Sequence, residues 1–167
     1  YLLEHEVTPY LRRRFPLAKV IKTRVLHTVG LGESVVDSKI GSLEELENPT
    51  VGLTAHLGVV DIRITANATD EAEADQLIAQ VEAAARERLG ESIFGVDGES
   101  LARLVLDRME NAGERVAVVE SGTQGQLAQK LAIADDGRGV FQVGMLRPNL
   151  ATARGLEKTV ANMANDC

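Results

Sequence analysis

An alternating segment followed at once by a capped amphipathic helix constrains this chain more than any other feature. Residues 59–68 alternate apolar and polar side chains, the pattern of a strand with one buried face and one face in water. Asp70 can cap the next helix, Glu73 completes a capping box, and Gly90 is placed to end it. A sheet with one buried face needs helices on that face, so the pair predicts an α+β sandwich.

The remaining patterns predict two small units that meet near residues 91–98. In the first unit we expect helices over 2–14, 34–46 and 70–89, a strand over 20–29, and a hairpin of 51–57 and 59–68 around Gly58. In the second we expect a helix from Leu101 towards Gly113, a strand over 115–119, a helix over 126–133 and a strand over 140–146. Helix and strand alternate in this second half, which favours an α/β unit.

Composition restricts the class of protein. The 167 residues are 44% hydrophobic but only 3% aromatic, so the core must be aliphatic. No apolar run approaches the roughly 18 residues of a membrane helix, and we expect no membrane contact. The one cysteine, Cys167, allows no intrachain disulfide, which suits a cytoplasmic protein. The chain begins at Tyr1 without a Met, so we expect it to be part of a longer protein.

Basic residues are concentrated near the start of the chain. Residues 1–24 hold six of them against two acidic residues. Such a cluster can bind phosphates, but it lacks the interleaved aromatic residues that stack on bases. A solvated helix face near a domain junction is therefore favoured, and nucleic-acid binding is kept as an alternative. The cluster consists of Arg12, Arg13, Arg14, Lys19, Lys22 and Arg24.

The turn at Val119–Gly125, between a predicted strand and a predicted helix, is the strongest local candidate for a site. Its backbone would leave several N–H groups pointing at one spot, where the helix dipole adds partial positive charge. Ser121 would lie where a nucleophile is often held, next to Glu120 and Thr123. A plain strand–helix turn, in which Gly and Ser satisfy only backbone geometry, gives the same pattern.

A family resemblance gives this turn a specific interpretation. The segment Val118-Val119-Glu120-Ser121-Gly122-Thr123-Gln124-Gly125 resembles the Ala-Glu-Ser-Cys-Thr-Gly-Gly motif of the CinA (competence/damage-inducible) family. In that family the motif opens a nicotinamide-nucleotide amidohydrolase domain. Three other segments are similar to the family's KH-like middle module: Thr28–Ser34, Val60–Thr65 and Gly98–Leu101.

The resemblance implies a domain organisation. Residues 1–92 would form the small KH-like α+β module, and residues 93–167 a partial, truncated α/β amidohydrolase-like domain. A pyrophosphatase-like domain would precede them in the full protein. A nucleotide phosphate is the implied ligand, and we also expect a homo-oligomer, because a truncated α/β unit would leave a sheet edge unpaired.

The resemblance also implies a set of site residues. Ser121 takes the position of the catalytic nucleophile. The family's helping Ser, Tyr and Lys fall, without gaps, on Arg138, Pro148 and Ala153. Since Pro and Ala cannot act as a base for a serine hydroxyl, we expect a degenerate site. The binding positions are Glu120, Gly122, Thr123, Gln124 and Gly125, of which Gly122 and Gln124 replace the motif's Cys and first Gly.

These observations favour a non-catalytic linking or oligomerisation module that holds at most a nucleotide phosphate at residues 121–125. One alternative is an active nicotinamide mononucleotide deamidase with a displaced base, Lys130 or Lys158. The other is a nucleic-acid-binding KH-like module. No cofactor is implied.

Three weaker patterns carry no site. His5, His27 and His56 lack the spacing of metal ligands. The turn at residues 30–34 lacks the Lys-Ser/Thr ending of a P-loop and the basic residues of a nucleic-acid-binding KH loop. The acid pair Asp135-Asp136 lies in a Gly-rich loop and is expected to be solvated.

Overall fold

The structure, a computed structural model, describes residues 1–14, 19–56 and 58–147. The chain divides into two compact units, the first ending at Asp97 and the second beginning at Gly98. The sequence predicts this boundary slightly earlier, between residues 92 and 93. The difference arises because residues 93–96 form a strand of the first unit's sheet.

The first unit is an antiparallel four-stranded sheet with two helices on one face. The strands have the spatial order β2-β3-β1-β4. In chain order, the elements are α1 (Thr8–Arg14), which continues a π-helical stretch Leu3–Val7, then β1 (Val20–Val29), α2 (Glu33–Glu44), β2 (Thr50–His56), β3 (Val59–Ala68), α3 (Glu71–Leu89), a 3₁₀ turn Gly90–Ser92, and β4 (Ile93–Val96).

The alternation in β3 places its even-numbered residues in the core. Ile62 and Ile64 are fully buried, and so is Leu26, which pairs with Ile62 across β1 and β3. Val36 of α2 and Ile78 of α3 belong to the same buried cluster. The core is aliphatic, and the prediction of an α+β sandwich is confirmed.

The predicted ends of α3 are also confirmed. The Asp70 carboxylate accepts a hydrogen bond from the Glu73 backbone N–H at 2.8 Å. The Glu73 carboxylate reaches back to the backbone N–H of Thr69 at 2.7 Å, one residue before the position expected for a capping box. Gly90 then ends the helix with a φ of +55°. A cap of this kind contributes about 1 kcal/mol.

The strand β4 is absent from the sequence prediction. It has four residues, includes Gly95 and pairs with β1 across a register shift between His27 and Thr28. A strand this short gives too little alternation to distinguish it from a loop, and Gly has low strand propensity. Pairing with β1 supplies the hydrogen bonds that local sequence does not indicate.

The second unit has the predicted order helix, strand, helix, strand. Its described residues, up to 147, form α4 (Leu101–Asn111), β5 (Val116–Glu120), α5 (Gln126–Asp135) and β6 (Phe141–Leu146). The strands β5 and β6 are parallel, with α5 as the crossover between them. Its small core centres on Leu106, Leu131 and Val140.

Close approach of α5 to β6 depends on Gly144. A Cβ added at Gly144 would collide with the Cβ of Ala128, and the short alanine side chain cannot move aside. We therefore expect Gly144→Ala to destabilise the second unit by about 1–3 kcal/mol, the usual cost of overpacking. Urea unfolding followed by hydrogen exchange at the β6 amides measures this loss.

A double variant that exchanges the alanine and the glycine between the two positions provides the matched control. In the double variant Ala128→Gly/Gly144→Ala the obstructing methyl group is gone, so the two substitutions should couple favourably. A double variant whose loss equals the sum of the two single losses would contradict this account of the contact.

Candidate functional site

The turn that carries Ser121 is organised around the buried carboxylate of Glu120, which is 4% exposed. Its oxygens accept hydrogen bonds from the Thr123 hydroxyl, from the Leu127 backbone N–H at 3.0 Å and from the Ala128 backbone N–H at 2.7 Å. The Thr123 contact, helped by the two backbone N–H groups, lowers the pKa of Glu120 although burial opposes this. The carboxylate is therefore an anion at neutral pH.

These contacts decide where the converging N–H groups point. As predicted, the first turn of α5 directs backbone donors at one spot, and Glu120 of the preceding strand occupies that spot. A carboxylate at a helix N-terminus satisfies donors that would otherwise lack partners and interacts favourably with the helix dipole. The protein thus fills its own anion position in the first turn of α5.

Ser121 lies directly after β5, with an exposed side chain. Within the part of the chain that the structure describes, its hydroxyl has no hydrogen-bond partner. The adjacent Gly122 and Gly125 have φ values of +89° and +84°, a conformation that glycine adopts without strain. Gln124 takes a similar φ of +53°.

Arg138, which takes the position of the helping Ser in the family motif, does not lie close to Ser121 in the structure. It follows the carboxyl end of α5, whose ten residues span about 15 Å, whereas Ser121 precedes the amino end. Its guanidinium pairs with Asp107 at 2.6 Å and with Glu110 at 2.7 Å.

Of the other candidate positions, Pro148, Ala153 and the candidate base Lys158 lie outside the described residues. Lys130 is on α5 and exposed.

Asp135 overturns the expectation that the acid pair is solvated. Its side chain is 6% exposed and accepts hydrogen bonds from the backbone N–H groups of Gly139, Val140 and Phe141 at 2.8–2.9 Å. Only Asp136 is exposed. These N–H contacts hold the pKa of Asp135 below its ordinary value, the contact from Phe141 contributing most, although burial opposes the shift. The Gly-rich loop after Asp135, whose backbone donors need partners, is the signal that indicates this role.

Part of the N-terminal basic cluster is engaged within the first unit. Lys22 pairs with Asp75 at 2.6 Å. Arg24 pairs with Glu82 at 3.0 Å and with Asp97 at 2.8 Å. These contacts offset two of the six charges that the nucleic-acid alternative requires.

The described residues offer few other candidate sites. No group of three or more His, Cys, Asp or Glu side chains among the described residues could hold a metal ion. A groove of about 430 Å³ in the second unit is lined by residues such as Ser100, Arg103 and Ile133, but not by the Ser121–Gly125 turn. Of the helices in the described ranges, none combines the length and apolar character needed to cross a membrane.

The known proteins to which this chain is similar point to one family. Residues 23–95 match the damage-inducible protein CinA KH domain. The chain is 38% identical over 148 residues to a CinA-like protein of Prochlorococcus marinus, covering 89% of this chain and 34% of that protein. It is 36% identical over 148 residues to a CinA-like protein of Synechococcus strain CC9311, covering 89% and 35%.

A third relative matches a similar share of this chain. A protein of Caldanaerobacter subterraneus assigned as competence-damage inducible is 39% identical over 145 residues, covering 87% of this chain and 34% of the relative. The chain spans about a third of the length of the curated relatives it matches.

The two buried carboxylates predict acid-labile packing in the second unit. Because the folded pKa values of Glu120 and Asp135 are lowered, their stabilisation is present above the unfolded values of about 4 and is lost as pH falls through the folded values. Hydrogen exchange at the β6 amides should therefore accelerate below about pH 4.

Substitution of Asp135 separates this effect from general acid unfolding. Asp135→Asn should speed exchange of the Val140 and Phe141 amides at pH 7 and reduce the further acceleration in acid, because one acceptor oxygen and the titrating charge are gone. Asp136→Asn is the matched control, since that neighbour is exposed. Equal behaviour of the two variants would contradict the assigned role of Asp135.

Proposed function

This chain belongs to the CinA-like family, and from that premise we propose that it is a non-catalytic linking module. In this proposal its KH-like unit is joined to an amidohydrolase-like unit in which Glu120 occupies the anion position at the start of α5. The observation that carries the proposal is the contact of the Glu120 carboxylate with the Leu127 and Ala128 backbone N–H groups. The same donors would be needed to hold a phosphate at the start of α5.

The surroundings of Ser121 support the proposal. A serine hydroxyl becomes a useful nucleophile only when a neighbouring base takes its proton. Among the described residues none accepts a hydrogen bond from this hydroxyl, and Arg138 is held by two acids at the other end of α5. Arginine remains protonated at neutral pH, so it is a poor base even where it is close.

The linking role is supported by the chain's organisation. The first unit has a continuous aliphatic core of its own, and the second is connected to it through the Asp97–Gly98 peptide. Relatives about three times as long place this stretch within larger proteins. The upstream pyrophosphatase-like domain, the cytoplasmic location and the homo-oligomer expected from the sequence stay predictions.

An active deamidase is the second candidate, and one observation favours it. The strands β5 and β6 are parallel, and the Arg147 backbone N–H donates to the Glu120 carbonyl oxygen at 2.8 Å. The chain therefore leaves β6 at the same sheet edge as Ser121. A base supplied from beyond Arg147, of which Lys158 is the sequence candidate, would complete a serine amidohydrolase there.

An amide-hydrolysis assay separates the two candidates. The chain is incubated with nicotinamide mononucleotide, and released ammonia is measured alongside Ser121→Ala. We expect equal, background ammonia from both proteins because none of the described residues offers a base to the Ser121 hydroxyl. Ammonia release that Ser121→Ala abolishes would overturn the non-catalytic proposal, and its loss in Lys158→Ala but not Lys130→Ala would identify the base.

Phosphate titration tests the occupied anion position directly. We expect inorganic phosphate at millimolar concentration to leave the amide NMR signals of Leu127 and Ala128 unshifted in the wild type, because Glu120 already accepts from both. Thr123→Val, which keeps Glu120 but removes its hydroxyl donor, should behave likewise. Saturable shifts of these two amides in the wild type would show that phosphate displaces the carboxylate and would contradict the proposal.

A further inference from the structure

His27 lies on the face of the sheet opposite the helices and has an acceptor at each ring nitrogen. Its Nδ1 is 2.7 Å from the Asp61 carboxylate, and its Nε2 is 2.7 Å from the Asp97 carbonyl oxygen. The side chain is only 15% exposed, and the ring of Phe94 stacks on it with centroids 5.7 Å apart. His27 therefore joins a central strand to the last residue of the first unit.

The two acceptors fix the charge state of the ring. A neutral imidazole has one N–H donor and one lone pair, so it can satisfy only one of two acceptors. The imidazolium form has two donors and satisfies both. Burial lowers the pKa of His27, but the Asp61 hydrogen bond, the Asp97 carbonyl and the charges of both carboxylates outweigh this and raise it above 6.5.

Charged groups surround this ring on several elements. Asp61 of β3 also contacts His56 of β2, at 3.3 Å from Nε2 to Oδ2. The Asp97 carboxylate, after β4, pairs with Arg24 of β1. Arg24 in turn pairs with Glu82 of α3. The two carboxylates favour the imidazolium, whereas a protonated His56 would weaken the hold of Asp61 on it.

We propose that His27 is a proton-controlled clamp on the Asp97–Gly98 peptide, which links the two units. When the ring loses a proton to solvent, the remaining one stays on Nδ1, because the charge-assisted bond to Asp61 is stronger than a bond to a neutral carbonyl. Nε2 then presents a lone pair to the Asp97 carbonyl oxygen. Two acceptors at 2.7 Å repel each other, so this tie is released.

The rest of Asp97 stays attached when the clamp opens. Its backbone N–H donates to the Val25 carbonyl at 2.8 Å, and its side chain accepts from the Val25 N–H at 2.9 Å. Release therefore frees the peptide plane between Asp97 and Gly98 rather than β4. Asp97 has a φ of +52°, an uncommon conformation for a residue other than glycine, so the constraints at this position matter.

The sign of the pH dependence follows from the raised pKa. The clamp is closed at pH values below about 6.5 and opens as pH rises through the higher folded-state value.

NMR of the whole chain tests the clamp without any substitution. We expect both ring nitrogens of His27 to be protonated at pH 6.5, Nε2 to lose its proton first, and the Gly98 amide signal to shift with the same midpoint. A ring with a single protonated nitrogen at pH 6.5, or a Gly98 signal that does not follow the ring, would overturn the proposal.

Two matched variants separate the clamp from other titrations. His27→Gln removes the titrating group, so the pH response of Gly98 should disappear, whereas His56→Gln should preserve it. Asp61→Asn should lower the His27 midpoint, because it removes the facing carboxylate that raises the pKa. An unchanged Gly98 response in His27→Gln, measured on a folded variant, would also overturn the proposal.

Discussion

Burial of one face of the β1–β3 pair is the interaction on which the first unit depends. Leu26, Ile62 and Ile64 are completely buried beneath α2 and α3, and with few aromatic residues available the core consists of aliphatic contacts. Removing apolar surface from water provides the main favourable term in folding. That burial fixes the register of β1 against β3, and the register in turn places His27 opposite Asp61 on the other face.

Among its described residues, the second unit has a small buried core and relies more on polar contacts. Glu120 binds the amino end of α5, and Asp135, at the carboxyl end, binds the start of β6. Both carboxylates satisfy backbone N–H groups that would otherwise lack partners. The candidate turn and the structural framework thus use the same residue, Glu120, so a substitution there would change both the turn and the stability of this unit.

Sequence reasoning predicted the elements with strong periodicity and found the position of the candidate turn. It located β3, α3 and the strand–turn–helix around Ser121, because alternation, capping residues and glycines are local signals. It missed β4, whose only support is pairing with β1. It also assigned Asp135 to solvent, since whether a carboxylate is buried depends on donors that folding brings to it. For the same reason the sequence does not indicate that Glu120 accepts hydrogen bonds at the amino end of α5; its assignment as a binding position stays a prediction.

The position of Glu120 has a consequence for any ligand that competes for the amino end of α5. The carboxylate is tethered to the strand that feeds the helix, so it competes for the helix end at a high effective concentration that does not depend on any free ligand. An external ligand competes with one that never diffuses away. Changes to the glycines around the turn alter its shape but leave this competitor in place. Any anion that binds at the start of α5 therefore has to displace the Glu120 carboxylate first.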